Sequence, residues 1–163
     1  MMSLKTLVIH PEKCNGCGDC ESACSKKQTG MDNRARSCIR VMREFDDDIF
    51  FLPMTCQQCD EPPCLAACPN EAIVRDEGLD RVLVNHQKCV GCRMCVSACP
   101  FGAMGFDEER GKSFKCDLCG GMPECVRVCT TGALVYAAPH MLQKPQMVQS
   151  AAKIASVMRL MIF

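Results

Sequence analysis

The sequence predicts an α+β fold with little regular structure, built around metal centres in place of a large apolar core. Cysteine supplies 17 of the 163 residues, a density at which cysteines organise a fold. Aromatic residues are scarce, with no Trp, one Tyr and seven Phe, so apolar packing alone would give a thin core. The apolar segments between the cysteines are short and β-branched. The chain length fits one domain or two small ones.

Composition and motifs exclude several functional classes. No stretch approaches the ~18 consecutive apolar residues of a membrane-spanning helix, so no membrane insertion is expected. A formal net charge of zero argues against a nucleic-acid partner. Neither a dinucleotide-binding nor a phosphate-binding glycine pattern occurs. No signal peptide is visible, which predicts a cytoplasmic location, where thiols stay reduced and dense cysteine indicates metal binding.

The cysteines fall into four groups of four, and Cys38 stands apart from them. We call these groups quartets one to four, and their members are Cys14, Cys17, Cys20 and Cys24; Cys56, Cys59, Cys64 and Cys68; Cys89, Cys92, Cys95 and Cys99; and Cys116, Cys119, Cys125 and Cys129. Quartets one and three have the bacterial ferredoxin spacing C-x2-C-x2-C-x3-C. Quartets two and four widen one step with turn-forming Pro and Gly residues.

This spacing favours iron–sulfur clusters over the other cysteine chemistries. Three closely spaced thiolates can wrap one cubane, and the offset fourth suits a neighbouring cluster. Zinc prefers two separated C-x2-C pairs, and disulfides are improbable in a reducing compartment. Sixteen ligands therefore predict four 4Fe–4S clusters. A cluster with four thiolate ligands has no open iron for substrate, so we expect an electron carrier and not an enzyme. Cys38 is expected to be a small buried apolar residue.

The local elements follow from the pattern around the quartets. Residues 4–75 and 82–136 resemble each other and indicate a duplication. Short β-branched runs predict strands, which are Thr6–Ile9, Ile39–Arg43, Ile49–Leu52, Ile73–Arg75, Val82–Val84 and Leu134–Tyr136. The second and third of these form a hairpin across a turn at Asp46–Asp48. Single helical turns are expected at Leu65–Cys68 and Val96–Cys99. Residues 140–163 lack cysteine and carry apolar residues at helical spacing, which predicts a C-terminal helical arm.

Three segments give the chain a family resemblance. They are Cys56-Gln57-Gln58-Cys59 with Pro62-Pro63-Cys64, then Cys99-Pro100-Phe101-Gly102-Ala103, then Lys115-Cys116-Asp117-Leu118-Cys119. With four quartets, they resemble the electron-transfer subunits of molybdenum and tungsten oxidoreductases and related hydrogenases. Among these, the chain looks most similar to the small subunit that accompanies a tungsten-containing aldehyde oxidoreductase. The resemblance implies a duplicated bacterial ferredoxin-like fold, with two interleaved modules in residues 1–139 and the arm in residues 140–163.

The resemblance also implies an exchange of the fourth cysteine between quartets. The implied ligand sets are Cys14, Cys17, Cys20 and Cys129; Cys116, Cys119, Cys125 and Cys24; Cys56, Cys59, Cys64 and Cys99; and Cys89, Cys92, Cys95 and Cys68. Thr130 departs from the family pattern, since a proline often follows the last cysteine.

The expected function is a relay of single electrons between a catalytic subunit and an electron acceptor or donor. The implied partners are a molybdenum, tungsten or hydrogenase subunit, together with a flavin subunit or a soluble ferredoxin. A free polyferredoxin shuttle and a zinc-bound structural or interaction module are the alternatives. A further alternative is self-association head to tail through the C-terminal arm.

Overall fold

The computed structural model describes residues 5–43 and 50–138, and in them short strands and helices connect long irregular loops. The strands are β1 (Thr6–Ile9), β2 (Ile39–Met42), β3 (Leu52–Thr55), β4 (Ile73–Asp76), β5 (Arg81–Val84), β6 (Gly105–Asp107), β7 (Lys112–Phe114) and β8 (Leu134–Ala137). The helices are α1 (Asp19–Thr29), α2 (Pro63–Ala66), α3 (Met94–Ala98) and α4 (Glu124–Val128). Single 3₁₀ turns occur at Pro11–Lys13, Arg34–Arg36 and Leu118–Gly121. This mixed α/β architecture agrees with the predicted class.

Among residues 5–43 and 50–138, the strands form separate antiparallel pairs and no large sheet. β1 pairs with β8, so the first and last described strands lie side by side. The other pairs are the local hairpins β2–β3, β4–β5 and β6–β7. A two-stranded pair is marginally stable alone. Each pair must therefore be stabilised by what it packs against, and the two buried clusters combine cysteines with aliphatic residues.

Helix α1 is much the longest of the described helices. Gly30 ends it in the left-handed conformation, with φ of 78°, and the Gly30 N–H donates to the Lys26 carbonyl at 2.8 Å. Asp19 lies in its first turn and Lys26 in its last, so both charges complement the helix dipole. The helix carries Cys20 and Cys24 on its buried side. It therefore presents two cysteines of quartet one to the interior.

The β2–β3 hairpin differs from its predicted form in the second strand. The register pairs Ile39 with Thr55 and Met42 with Leu52, so β3 starts where the predicted strand ended. Pro53 lies inside β3, which a two-stranded ribbon tolerates because one edge of each strand needs no partner. The predicted turn at Asp46–Asp48 lies outside the described residues, as does the predicted arm at 140–163.

The short helices α2, α3 and α4 also differ slightly from expectation. The predicted turns at Leu65–Cys68 and Val96–Cys99 are present, but they begin two residues earlier and end before the cysteine. Quartet four repeats this arrangement, with α4 ending at Val128 and Cys129 following it. The sequence did not predict the β6–β7 hairpin, because its strands have only three residues each.

Two buried clusters divide the described residues. The terminal region is formed by β1, α1, β2, α4 and β8 around Cys20, Cys24 and Cys125, and α1 packs on α4. The central region is formed by α2, β4, β5 and α3 around Cys64 and Cys95, and α2 packs on α3. No helix in residues 5–43 and 50–138 is long and apolar enough to cross a membrane.

Candidate iron–sulfur sites

The first loop of every quartet has the same backbone kink. The residue just before the second cysteine is left-handed in all four, and these residues are Gly16 (φ 73°), Gln58 (φ 49°), Gly91 (φ 75°) and Leu118 (φ 56°). A left-handed conformation costs roughly 1–2 kcal/mol for a residue with a Cβ. Two quartets thus hold a strained residue where the other two use glycine. The four C-x2-C loops therefore share one backbone conformation, although the spacing between the second and third cysteines differs among the quartets.

Gly16 and Gly91 have a second reason to be glycine. A Cβ on Gly16 would clash with the ring of Phe51, and a Cβ on Gly91 would clash with the Gly111 carbonyl oxygen. At both glycines, neighbouring protein atoms already fill the space on the Cβ side.

The terminal region brings quartets one and four together. Cys20, Cys24 and Cys125 are buried in one cluster with Ile39 and Leu134. Cys14, Cys116 and Cys129 are partly buried and pack against this cluster. Two quartets that are far apart in the sequence therefore share one interior.

The central region brings quartets two and three together. Cys64 and Cys95 are buried with Ile73, Val82 and Met104, and the partly buried Cys68 and Cys99 pack against them. A small cavity in this region is lined by three cysteines of quartet three and by the last cysteine of quartet two. These four are Cys89, Cys92, Cys95 and Cys68.

Electrostatic interactions show which thiols lie close to one another. Burial raises the pKa of the Cys125 thiol, and nearby Cys116 and Cys24 raise it further. Cys24, the last cysteine of quartet one, thus lies among those of quartet four. Burial likewise raises the pKa of Cys64, Lys115 opposes this rise, and Cys56 and Cys99 add to it. The last cysteine of quartet three is therefore near those of quartet two.

Backbone N–H groups donate to several of these sulfurs. Ala72 donates to Cys68 Sγ at 3.2 Å, and Ala103 donates to Cys99 Sγ at 3.4 Å. Partial burial raises the pKa of Cys68, but the backbone N–H groups of Ala72 and its neighbours outweigh this, and the net pKa is lowered. Such donors stabilise negative charge on sulfur and are one of the factors that set cluster potentials.

Cys24 has a different donor. Its Sγ accepts the backbone N–H of Cys38 at 3.3 Å. The Cys38 thiol also hydrogen-bonds to Cys24 and lowers its pKa to about 6, although burial opposes this. Cys38 is buried, as expected, but it is more than an apolar filler because it contacts a predicted ligand. Sequence spacing gave no signal for this contact.

The donor set fits 4Fe–4S clusters. One cavity is lined by cysteines from two quartets, and backbone N–H groups donate to several sulfurs, which suits a cluster with thiolate ligands. Within residues 5–43 and 50–138, no three His, Cys, Asp or Glu side chains converge closely enough to hold a single metal ion. Burial raises the pKa of Cys116 to about 12, and cluster binding must therefore remove a proton that the free thiol would keep at neutral pH.

Comparison with protein families identifies this arrangement. Residues 47–138 match the family described as "4Fe-4S dicluster domain", and residues 7–25 match "4Fe-4S binding domain". The chain belongs to the 4Fe-4S dicluster domain family. The chain binds 4Fe–4S clusters, which confirms the predicted cofactor. The first match begins within the segment between β2 and β3 and includes three of the four quartets.

Curated relatives with similar sequences are subunits of oxidoreductases. The beta subunit of NADH-dependent phenylglyoxylate dehydrogenase from Aromatoleum evansii is 40% identical over 80% of this chain and 30% of the relative. The polyferredoxin-like subunit of the aliphatic sulfonate oxidoreductase from Pyrococcus furiosus is 42% identical over 76% of this chain and 70% of the relative. The thiosulfate reductase electron transfer subunit PhsB from Salmonella typhi is 34% identical over 80% of this chain and 74% of the relative.

These relatives confirm the predicted class of protein. They are named as electron-transfer, polyferredoxin-like or beta subunits of oxidoreductases. The chain is an iron–sulfur protein of the electron-transfer class, and its relatives are oxidoreductase subunits. It spans less than a third of the length of the phenylglyoxylate dehydrogenase subunit that it matches.

Proposed function

We propose that the chain holds four 4Fe–4S clusters in a row and connects a catalytic oxidoreductase subunit to an electron donor or acceptor. The bound clusters would supply one-electron chemistry at potentials between about −700 and +450 mV. The residues of the chain hold the clusters in order, exclude water from the inner ones and donate hydrogen bonds to their sulfurs. The observation that carries the proposal is the pairing of quartet one with four and of quartet two with three.

The pairing supports the ligand sets that the family resemblance implies. They are Cys14, Cys17, Cys20 and Cys129; Cys116, Cys119, Cys125 and Cys24; Cys56, Cys59, Cys64 and Cys99; and Cys89, Cys92, Cys95 and Cys68. The proximity of Cys24 to Cys125 supports the second set, and that of Cys99 to Cys64 supports the third. The four-cysteine cavity supports the fourth set. The first set rests on the shared burial of quartets one and four.

Exposure indicates the order of the four sets. Cys17 and Cys92 are exposed, and they belong to the first and fourth sets. Burial raises the pKa of Cys116, and Cys56 is among the thiols that raise it further, so the second and third sets approach each other. The order is then first, second, third and fourth set, with one exposed cysteine at each end. Such a row has two surfaces at which electrons can enter or leave.

The partner class follows from the relatives' names and from the resemblance of the sequence. We expect a molybdenum or tungsten subunit, of the aldehyde oxidoreductase or formate dehydrogenase type, or a hydrogenase subunit, at one end of the row. A flavin subunit or a soluble ferredoxin would meet the other end. A cytoplasmic location suits the many thiols. Self-association through residues 140–163 stays a prediction.

Native anaerobic purification with metal analysis tests the proposal. We expect about 16 iron atoms per chain, and tungsten, molybdenum or nickel in a co-purifying subunit. Fewer than about 12 iron atoms per chain would contradict four clusters. Elution of the native protein as a lone monomer would instead favour the free polyferredoxin shuttle. Stoichiometric zinc without a visible charge-transfer band would favour the zinc module.

A further inference from the structure

Lys115 is a buried lysine at the junction of the two regions. It follows β7, directly precedes Cys116, and is only 5% exposed. Its ammonium donates to Gln58 Oε1 at 3.2 Å, to the Cys116 carbonyl at 3.0 Å and to the Val82 carbonyl. A protonated lysine has three N–H donors, whereas a neutral amine has two. Three acceptors around Nζ therefore match the charged form.

This charge has no carboxylate partner among residues 5–43 and 50–138. The ion pairs found there involve other residues, and the three acceptors of Lys115 are neutral oxygens. Burying an isolated charge is costly unless an opposite charge offsets it. The nearby groups that become negative are cysteine sulfurs. Lys115 lies beside two of these cysteines, because its ammonium donates to the Cys116 carbonyl and to Gln58, whose backbone N–H donates to Cys56 Sγ.

Gln58 fixes the lysine between two quartets. Its backbone N–H donates to Cys56 Sγ at 3.4 Å, and its Nε2 donates to the Cys116 carbonyl at 2.8 Å. Its Oε1 accepts the Val82 N–H at 2.8 Å as well as the Lys115 ammonium. Gln58 also has the left-handed kink of quartet two. One glutamine thus joins a sulfur of quartet two, the backbone of quartet four and the buried ammonium.

We propose that Lys115 is a positioning residue for electron transfer, a fixed internal cation that raises the reduction potentials of the two inner clusters, and that Gln58 holds it in place. The proposal rests on the four-cluster function proposed above. Reduction adds one negative charge to a cluster, and a nearby positive charge stabilises the reduced form. The inner clusters of the row then have higher reduction potentials than the outer clusters. An electron that enters at either end is therefore more stable on the clusters at the junction of the two regions.

The expected effect is large enough to measure. At an effective dielectric constant of about 20, a unit charge within about 10 Å changes a reduction equilibrium constant by at least about tenfold. A tenfold change corresponds to about 59 mV for a one-electron couple. The outer clusters, which lie farther from Lys115 and closer to water, should shift much less.

The test is an EPR-monitored redox titration of the reconstituted full chain with its iron content measured. We expect Lys115→Met to keep its iron. We also expect the potential of at least one inner cluster to fall by about 59 mV or more, which corresponds to a tenfold change in the reduction equilibrium constant. Lys115→Arg should keep potentials near those of the wild type. Lys26→Met is the matched control, because it removes the charge of an exposed lysine and should shift no potential. Unchanged potentials in an iron-replete Lys115→Met variant would overturn the proposal.

A second variant decides the case if Lys115→Met fails to bind its clusters. Gln58→Glu keeps the side-chain length and the backbone N–H, and it adds a carboxylate that offsets the lysine charge. We expect this variant to lower the same potentials as Lys115→Met, and an iron-replete Gln58→Glu variant with unshifted potentials would overturn the proposal. Iron deficiency in the wild-type chain would count against the four-cluster function and not against the role of Lys115.

Discussion

The central and terminal regions bury similar sets of cysteines but supply hydrogen bonds to them in different ways. In the central region, Cys68 and Cys99 each follow a short helix, and each sulfur accepts an N–H from the residue four positions later. In the terminal region, Cys24 lies inside α1, and its sulfur accepts the N–H of Cys38, 14 residues away. The donor comes from a local loop at Cys68 and Cys99 and from the segment that leads into β2 at Cys24.

The length of α1 explains this difference. Glu71 and Gly102 are left-handed and turn the chain back toward the preceding cysteine. After Cys24 the chain stays helical to Thr29, so the following N–H groups bond within the helix and cannot reach the sulfur. The start of β2 then brings Cys38 to that position. Cys24 of the terminal region therefore depends on a long-range contact, whereas Cys68 and Cys99 of the central region depend on local ones.

The largest effect is expected when one of the cysteines implied to be exchanged between quartets is removed from either region. Cys24→Ala deletes the only quartet-one cysteine in the second ligand set, and Cys99→Ala is its counterpart in the central region. We expect each variant to lose EPR intensity and up to four irons, the content of one cluster. Cys38→Ala is the control and should retain all its iron. Full iron content in Cys24→Ala would show that Cys24 is not a cluster ligand.

The next largest effect is a difference in stability between glycine variants of the two regions. Gly91→Ala forces a Cβ against the Gly111 backbone, which cannot move easily, whereas Gly16→Ala meets a Phe51 ring that can rotate. We expect Gly91→Ala to destabilise by about 2–5 kcal/mol, from left-handed strain and overpacking, and Gly16→Ala to destabilise by less. The measurement is urea unfolding followed by cluster absorbance.

Gly30→Ala is the matched control for both glycine variants. Gly30 is also left-handed, with φ of 78°, but no atom lies within 4 Å of the added Cβ. It should cost only the conformational strain, about 1–2 kcal/mol. Equal losses in all three variants would show that packing against the C-x-x-C loops contributes nothing.

Cys38→Ala should have a smaller effect, confined to the terminal region. It removes the thiol that hydrogen-bonds to Cys24 and keeps the backbone N–H donor. We expect a stability loss of about 1 kcal/mol and a lower potential for one terminal cluster, because a donor to sulfur is lost. Redox titration checks this, and a shift in a central cluster would argue against the contact.

The smallest expected effect concerns the β4–β5 hairpin of the central region. The Arg81 guanidinium bonds to Asp76 at 2.8 Å and lowers the pKa of that carboxyl. A lowered carboxyl pKa contributes stability above the ordinary carboxyl range, and this stability is lost as pH falls through the lowered pKa. Asp76→Asn should therefore speed amide exchange in β4 and β5 slightly at neutral pH, with no difference at strongly acidic pH. An equal effect at both pH values would contradict the ion pair.

Much of the fold and the identity of the cofactor could be predicted from the spacing of the cysteines, because each quartet is a local sequence motif. Strands beside the quartets, such as β1 and β8, could be predicted from their β-branched residues. The register of β3 could not, because it depends on pairing with β2 across residues 44–49. The Gln58–Lys115 contact joins residues that are 57 positions apart in the sequence. Neither a glutamine nor a lysine is by itself predicted to be buried or to have a particular partner. Interactions of this kind are set by tertiary packing alone.

A diffraction experiment at the iron absorption edge on the reconstituted chain tests the central claim most directly. We predict four iron clusters in a row, with Cys24 on the cluster of quartet four and Cys99 on the cluster of quartet two. We also predict that the Lys115 ammonium lies between the two inner clusters. Fewer than four clusters, or four clusters that each bind all the cysteines of a single quartet, would contradict the account.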